Sequence, residues 1–127
     1  MIVLDASVLI AHLNPADPHH QAATALLLTG TPGQLLVHTL TLAEVLVGGV
    51  RIGQGASMCD DLYAAGIGLA PHDDGEPLRL AELRATSGLK LPDCCVLHVA
   101  IHHRATLATF DDALACAARR RRVTVAP

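Results

Sequence analysis

Apolar residues along this chain fall in short blocks separated by longer amphipathic stretches. Four short runs, at 1–4 (MIVL), 35–38 (LLVH), 67–70 (IGLA) and 105–109 (ATLAT), have the length of strands and no polar alternation, as strands covered on both faces do. The stretches between them read as helices. Ser7 stands where it could cap a helix over 8–13, and Asp17-Pro18 opens one that runs to about residue 28. Residues 29–33 read as a loop. A helix over 41–47 is expected to stop at Gly48-Gly49, and one over 56–65 at Gly66. Residues 75–86 carry Pro77 in the first turn and Gly88 just past the end. Residues 91–103 are the most periodic, with Asp93, Val96, Leu97, Ala100 and Ile101 spaced i, i+3, i+4, i+7, i+8. A short helix over 112–118 and a last strand over 123–125 complete the pattern. Strands alternating with helices predict an α/β fold with a mainly parallel sheet of five strands.

The 127 residues, 51% of them hydrophobic, suit one domain spanning 1–127 with a real core. Only 2% are aromatic, with one Phe, one Tyr and no Trp, which argues against base stacking on protein rings as the main means of holding nucleic acid. The net charge of −3 excludes a generic basic nucleic-acid binder. That charge is unevenly placed. Residues 1–50 hold no Lys or Arg, only Asp5, Asp17 and Glu44. The amino-terminal run lacks a basic flank and contains Asp5, unlike a signal peptide. Residues 18–43 are free of Asp, Glu, Lys and Arg, but Gly30, Pro32 and Gly33 interrupt them, so no membrane helix is expected. Cys59, Cys94, Cys95 and Cys116 form no C-x-x-C pair and read as small buried thiols of a cytoplasmic protein.

Ligand and catalytic groups of open parallel sheets gather at the carboxyl ends of the strands. Asp5 follows the first expected strand and Asp111 follows the strand over 105–109. Glu44 lies early in the helix after the second strand, and Asp93 opens the helix over 91–103 on its apolar stripe. Each has an ordinary structural explanation. Asp111 can cap its helix, Thr41 and Glu44 spell a T-L-A-E capping box, and Asp93 gains from a helix N-terminus. Asp5 is harder to explain away, and four such acids together repel unless a cation holds them. Oxygen ligands alone suit Mg²⁺ or Mn²⁺.

The pieces IVLDASVLIA (2–11), TLAEVLVG (41–48), LKLPDCCVLHVAI (89–101) and LATFDDALACAA (107–118) resemble those of PIN-domain proteins, in particular the VapC toxins of toxin–antitoxin pairs. The resemblance covers nearly the whole chain. It implies a three-layer α/β/α sandwich, an Mg²⁺-dependent endoribonuclease that hydrolyses RNA phosphodiesters, a VapB-like antitoxin as partner, and a homodimer. It assigns Asp5, Glu44, Asp93 and Asp111 as the acidic quartet that binds metal, with Asp5 and Asp93 first among the ligands. Ser7 and Thr109 match small polar positions beside the metal. Asp112 competes with Asp111 for the fourth place, and the T-x-D spacing favours Asp111.

Arg119 and Arg121 are the sequence's candidates for RNA phosphate contacts, with Arg51, Lys90 and Arg104 as additions; a solvated helix end explains the arginine tract equally well. Cys95, His98 and His102 share one helix face, for which a polar face or an interface is a better explanation than zinc, since no H-E-x-x-H is present. A phosphorelay receiver fits poorly, because Asp5 stands alone and Lys90 is the only lysine. The stronger alternative is a PIN fold that binds metal or a partner without notable nuclease activity.

Overall fold

Four parallel strands order the molecule as β3-β2-β1-β4 in the computed structural model, which describes residues 1–31 and 33–126. They are β1 (Ile2–Leu4), β2 (Leu35–Val37), β3 (Ile67–Leu69) and β4 (Thr106–Ala108). Ile2 pairs with Leu35 on one side and with Thr106 on the other, so β1 is central. Seven helices connect and cover the strands: α1 (Ala6–Leu13), α2 (His20–Thr29), α3 (Thr39–Arg51), α4 (Gly55–Ala64), α5 (Glu76–Ser87), α6 (Leu91–His102) and α7 (Asp112–Arg120). Pro32, in the loop expected over 29–33, lies outside the described residues, as does Pro127.

The strands explain the unalternating apolar runs. Leu4, Leu35, Val37 and Ala108 pack in one core with Val8, Leu9, Leu27, Leu42 and Leu62. Val3 and Leu107 point the opposite way, into a second core with Val96, Leu97, Ala100 and Leu114. Helices therefore cover both faces, and each strand position meets apolar side chains whichever way it points.

The expected fifth strand is absent. Residues 123–126 do run beside β4, where Leu107 N–H donates to the Thr124 carbonyl and Ala126 N–H to the Leu107 carbonyl, both at 2.8 Å. That contact amounts to one parallel bridge, Leu107 with Val125. The chain reaches it through Arg122, whose backbone is left-handed (φ 60°), and Val125 alone makes the bridge.

Three helix boundaries also differ. α1 starts at Ala6 with Asp5 as its N-cap, so Ser7 lies inside the helix and does not cap it. α2 starts at His20, two residues past Pro18, because the Asp17 carboxylate accepts the His19 N–H (2.8 Å) in a turn of its own. α3 continues through Gly48-Gly49 to Arg51. Gly49 is buried, and a Cβ there would sit 3.0 Å from the Met58 sulfur, so its missing side chain lets α4 approach. Gly88 does stop α5, in the left-handed conformation (φ 73°) that favours glycine.

α6 is buried all round rather than along a stripe: Cys94 through Ala100 are all buried, whereas Ile101, assigned to the stripe, is 42% exposed. Leu97→Ala should therefore cost about 2–5 kcal/mol, as for other fully buried leucines. Urea unfolding checks this; a loss below about 1 kcal/mol would show that α6 is not central to the core.

Candidate active site

Asp5 leaves β1 at its carboxyl end and occupies the N-cap of α1, yet its side chain makes no capping bond. It is only 7% exposed. Its Oδ2 accepts two hydroxyl hydrogen bonds instead, from Ser7 Oγ and Thr109 Oγ1, each at 2.7 Å. Ser7 Oγ also accepts the Phe110 N–H (3.0 Å), and Thr109 Oγ1 accepts the Asp111 N–H (3.0 Å). Two hydroxyls thus tie the β1–α1 junction to the β4–α7 junction through one carboxylate. An aspartate that forgoes its cap while two side chains orient it is built for another purpose.

Asp111 does cap α7, its Oδ1 accepting the Leu114 N–H at 2.9 Å. That leaves Oδ2 uncommitted by the cap. The ordinary explanation for Glu44 fails. α3 begins at Thr39 with His38 as its N-cap, His38 Nδ1 accepting the Leu40 N–H at 3.0 Å, so Thr41 and Glu44 form no capping box. Glu44 is exposed in the second turn. Asp93 lies half-buried in the first turn of α6, where Lys90 makes no side-chain cap.

Burial pushes the Asp93 carboxyl above the usual aspartate range. The charges of Asp5, Asp111 and Glu44, in that order, push it further, and Lys90 opposes them. The four acids, from four different elements, therefore share one field. Asp112 is not among the charges that Asp93 feels and is exposed at the start of α7. No three of the quartet bring ligand atoms within 4.8 Å of one another among the described residues; the group that does is His38, His72 and Glu76. The chemistry of the donor set, all oxygen, with one oxygen of Asp5 clear of the two hydroxyls, suits a hard divalent ion.

Other expected contacts fall elsewhere. α7 runs away from Asp111, so Arg119 and Arg121 stand roughly 12–15 Å along the helix axis from it, given about 1.5 Å per residue. Arg121 and Arg122 join Arg104 around a separate cleft of about 240 Å³. Arg51 closes α3. Lys90 is the cation beside the acids. Cys95 and His98 are buried, which corrects the expected polar helix face. Burial pushes the Cys95 thiol up to about 11, with Glu76, Cys94 and Glu44 adding to it, so it stays protonated at neutral pH. The sequence reading missed a stacked pair beside the site: the Phe110 ring lies 4.3 Å from the His19 ring, 10° from parallel.

Asp93 ionises against its neighbours, so its charge costs the metal-free fold stability above its raised folded value and costs nothing once acid protonates it. Asp93→Asn should raise the melting temperature by a few degrees at neutral pH without divalent metal, and the gain should shrink as the pH falls. Thermal melts from pH 4 to 8 check this; a lower melting temperature at pH 7 would contradict the repulsion.

The sequence matches the PIN domain family over residues 2–120. No curated protein matches it. Among solved structures, a toxin–antitoxin complex from Klebsiella pneumoniae is 26% identical, covers 87% of each chain and superposes with a TM-score of 0.72. The sarcin-ricin loop cleaving toxin VapC20 of Mycobacterium tuberculosis is 15% identical over 92% of this chain and 95% of its own, with a TM-score of 0.76. FitAcB from Neisseria gonorrhoeae is 21% identical over 100% and 97%, with a TM-score of 0.74. With the family match spanning all four acidic positions, and the parallel sheet and its helices laid out as in those structures, this chain belongs to the PIN domain family.

Proposed function

We propose that this chain is the toxin of a toxin–antitoxin pair and acts as a divalent-metal-dependent endoribonuclease. The observation that carries the reading is the convergence of Asp5, Glu44, Asp93 and Asp111 on one sheet edge, where three of them act on the fourth. The likeness to a toxin–antitoxin complex supports the biological role. The chain is read as one PIN domain over 1–127.

Asp5 and Asp93 would hold an Mg²⁺ or Mn²⁺ ion directly. When bound, such an ion lowers the pKa of water and neutralises charge on a phosphate. Ser7 and Thr109 fix one oxygen of Asp5 and so orient the other. Glu44, exposed and free of any cap, and the Oδ2 of Asp111 position the attacking water and take up its proton; Asp112, one residue on, adds negative charge at the rim. Lys90 meets the RNA phosphate nearest the acids. Arg119 and Arg121 serve only RNA that continues along α7 away from them.

An antitoxin would deliver a basic side chain to the quartet, where a guanidinium matches carboxylate geometry. The exposed apolar side chains of Val47, Val50 and Ile52 at the end of α3 offer area for a protein partner, an antitoxin or a second copy of the chain. Among the described residues, no helix is long and apolar enough to cross a membrane.

Purified chain with Mg²⁺ or Mn²⁺ should cleave RNA, and Asp5→Asn should lose at least about 10³-fold in rate, the scale of removing a ligand that supports several kcal/mol of charge stabilisation. Gel analysis of a total-RNA digest reads this. Equal cleavage by both proteins would overturn the assignment, and metal binding without any cleavage would support the non-nuclease PIN alternative.

A further inference from the structure

A second polar cluster lies outside the acidic quartet. Glu76, the first residue of α5, is 8% exposed and is surrounded by three imidazoles from three places in the chain. His72 Nδ1 lies 2.5 Å from Glu76 Oε2, His38 Nε2 lies 3.4 Å from Oε1, and His98 Nε2 lies 3.3 Å from Oε1. His38 follows β2, His72 precedes α5 and His98 sits in the middle of α6. The ligand atoms of His38, His72 and Glu76 all lie within 4.8 Å of one another.

Two further observations point to a ligand. His38 Nε2 is buried without a hydrogen-bond partner, on a side chain only 8% exposed and directed at Glu76. Within that group the 3.4 Å separation of His38 Nε2 from Glu76 Oε1 also matches the spacing of neighbouring ligand atoms around a tetrahedral ion with bonds of about 2.0–2.1 Å, while the 2.5 Å His72–Glu76 separation is that of a hydrogen bond the ion would replace. The donors are imidazole nitrogens and one carboxylate, a set that selects zinc-like ions over Mg²⁺. Burial pushes both His38 and His98 down, toward the neutral form that ligates metal. Thr39 Oγ1 holds the far nitrogen of His72 at 3.0 Å, as an outer partner does for a metal-bound imidazole.

We propose that His38, His72 and Glu76 form a transition-metal site of the zinc class built from residues other than the acidic quartet, with His98, 3.3 Å from Glu76 Oε1, drawn in as the fourth ligand on loading. The ion would clamp the β2–α3 corner, the start of α5 and the middle of α6 together. In the metal-free protein His38 Nδ1 accepts the Leu40 N–H, so its proton sits on Nε2. Ion binding at Nε2 would move that proton to Nδ1 and so cost the cap hydrogen bond from Leu40 N–H, one hydrogen bond against new metal–nitrogen and metal–oxygen bonds.

The test uses the full chain without an affinity tag, stripped with chelator and titrated with Co²⁺. Wild type should develop the visible absorption of tetrahedral cobalt to one equivalent, apart from any Co²⁺ the carboxylate quartet takes without it, lose that absorption to Zn²⁺ and melt at a higher temperature when loaded. His72→Ala and Glu76→Gln should weaken Co²⁺ binding at least about 100-fold, while Asp5→Asn should bind within about 2-fold of wild type. His72 is 44% exposed, so its variant keeps the fold and decides the matter should Glu76→Gln unfold. Absence of a tetrahedral cobalt spectrum in wild type, or unchanged binding in His72→Ala, would overturn the proposal.

Discussion

The hydrogen bonds from Ser7 and Thr109 to one oxygen of Asp5 are the interaction on which the acidic edge depends. They join the ends of two neighbouring parallel strands, β1 and β4, through side chains 104 residues apart in sequence. They also leave a buried carboxylate with one oxygen held and the other clear of both hydroxyls. A buried carboxylate is tolerated when hydrogen bonds offset its lost hydration, and here two hydroxyls and a helix N-terminus share that task. The sheet makes this possible because its strands are parallel. Their carboxyl ends emerge together, and each hands its chain directly to the next helix.

Much of that arrangement is legible in the sequence because it is local. An acid directly after an apolar run of strand length must emerge at a strand end, which places Asp5 and Asp111. The apolar periodicity over 91–103 places Asp93 in the first turn of its helix. What stays hidden depends on contacts between distant residues. The T-L-A-E run imitates a capping box, but His38 captures the cap and starts α3 earlier. Gly48-Gly49 looks like a helix stop, but α4 packs against the bare backbone of Gly49 and the helix continues. The spacing in α6 looks amphipathic, but a helix buried all round has no stripe to find. The last strand reduces to a single bridge beside β4.

The histidine cluster was hidden for a similar reason. His38, His72, Glu76 and His98 obey no ligand motif as a set, and only the i, i+4 spacing of His72 and Glu76 hints at a pair. A search along one helix instead singles out Cys95, His98 and His102. The fold separates that trio: His98 turns to Glu76 while His102 approaches Asp73 at 3.5 Å. The fold thus builds two donor sets from different residues, carboxylates at the ends of β1 and β4 and imidazoles with Glu76 after β2. α6 carries one member of each, Asp93 and His98.

The central claim is that the four acids form a divalent-metal site. Anomalous diffraction from crystals of the protein grown with Mn²⁺ tests it most directly. The account predicts manganese density within ligand distance of the Asp5 and Asp93 carboxylates, with Asp111 and Glu44 beside it. Manganese bound at other residues but at none of these four, in crystals where the quartet is open to solvent, would contradict it.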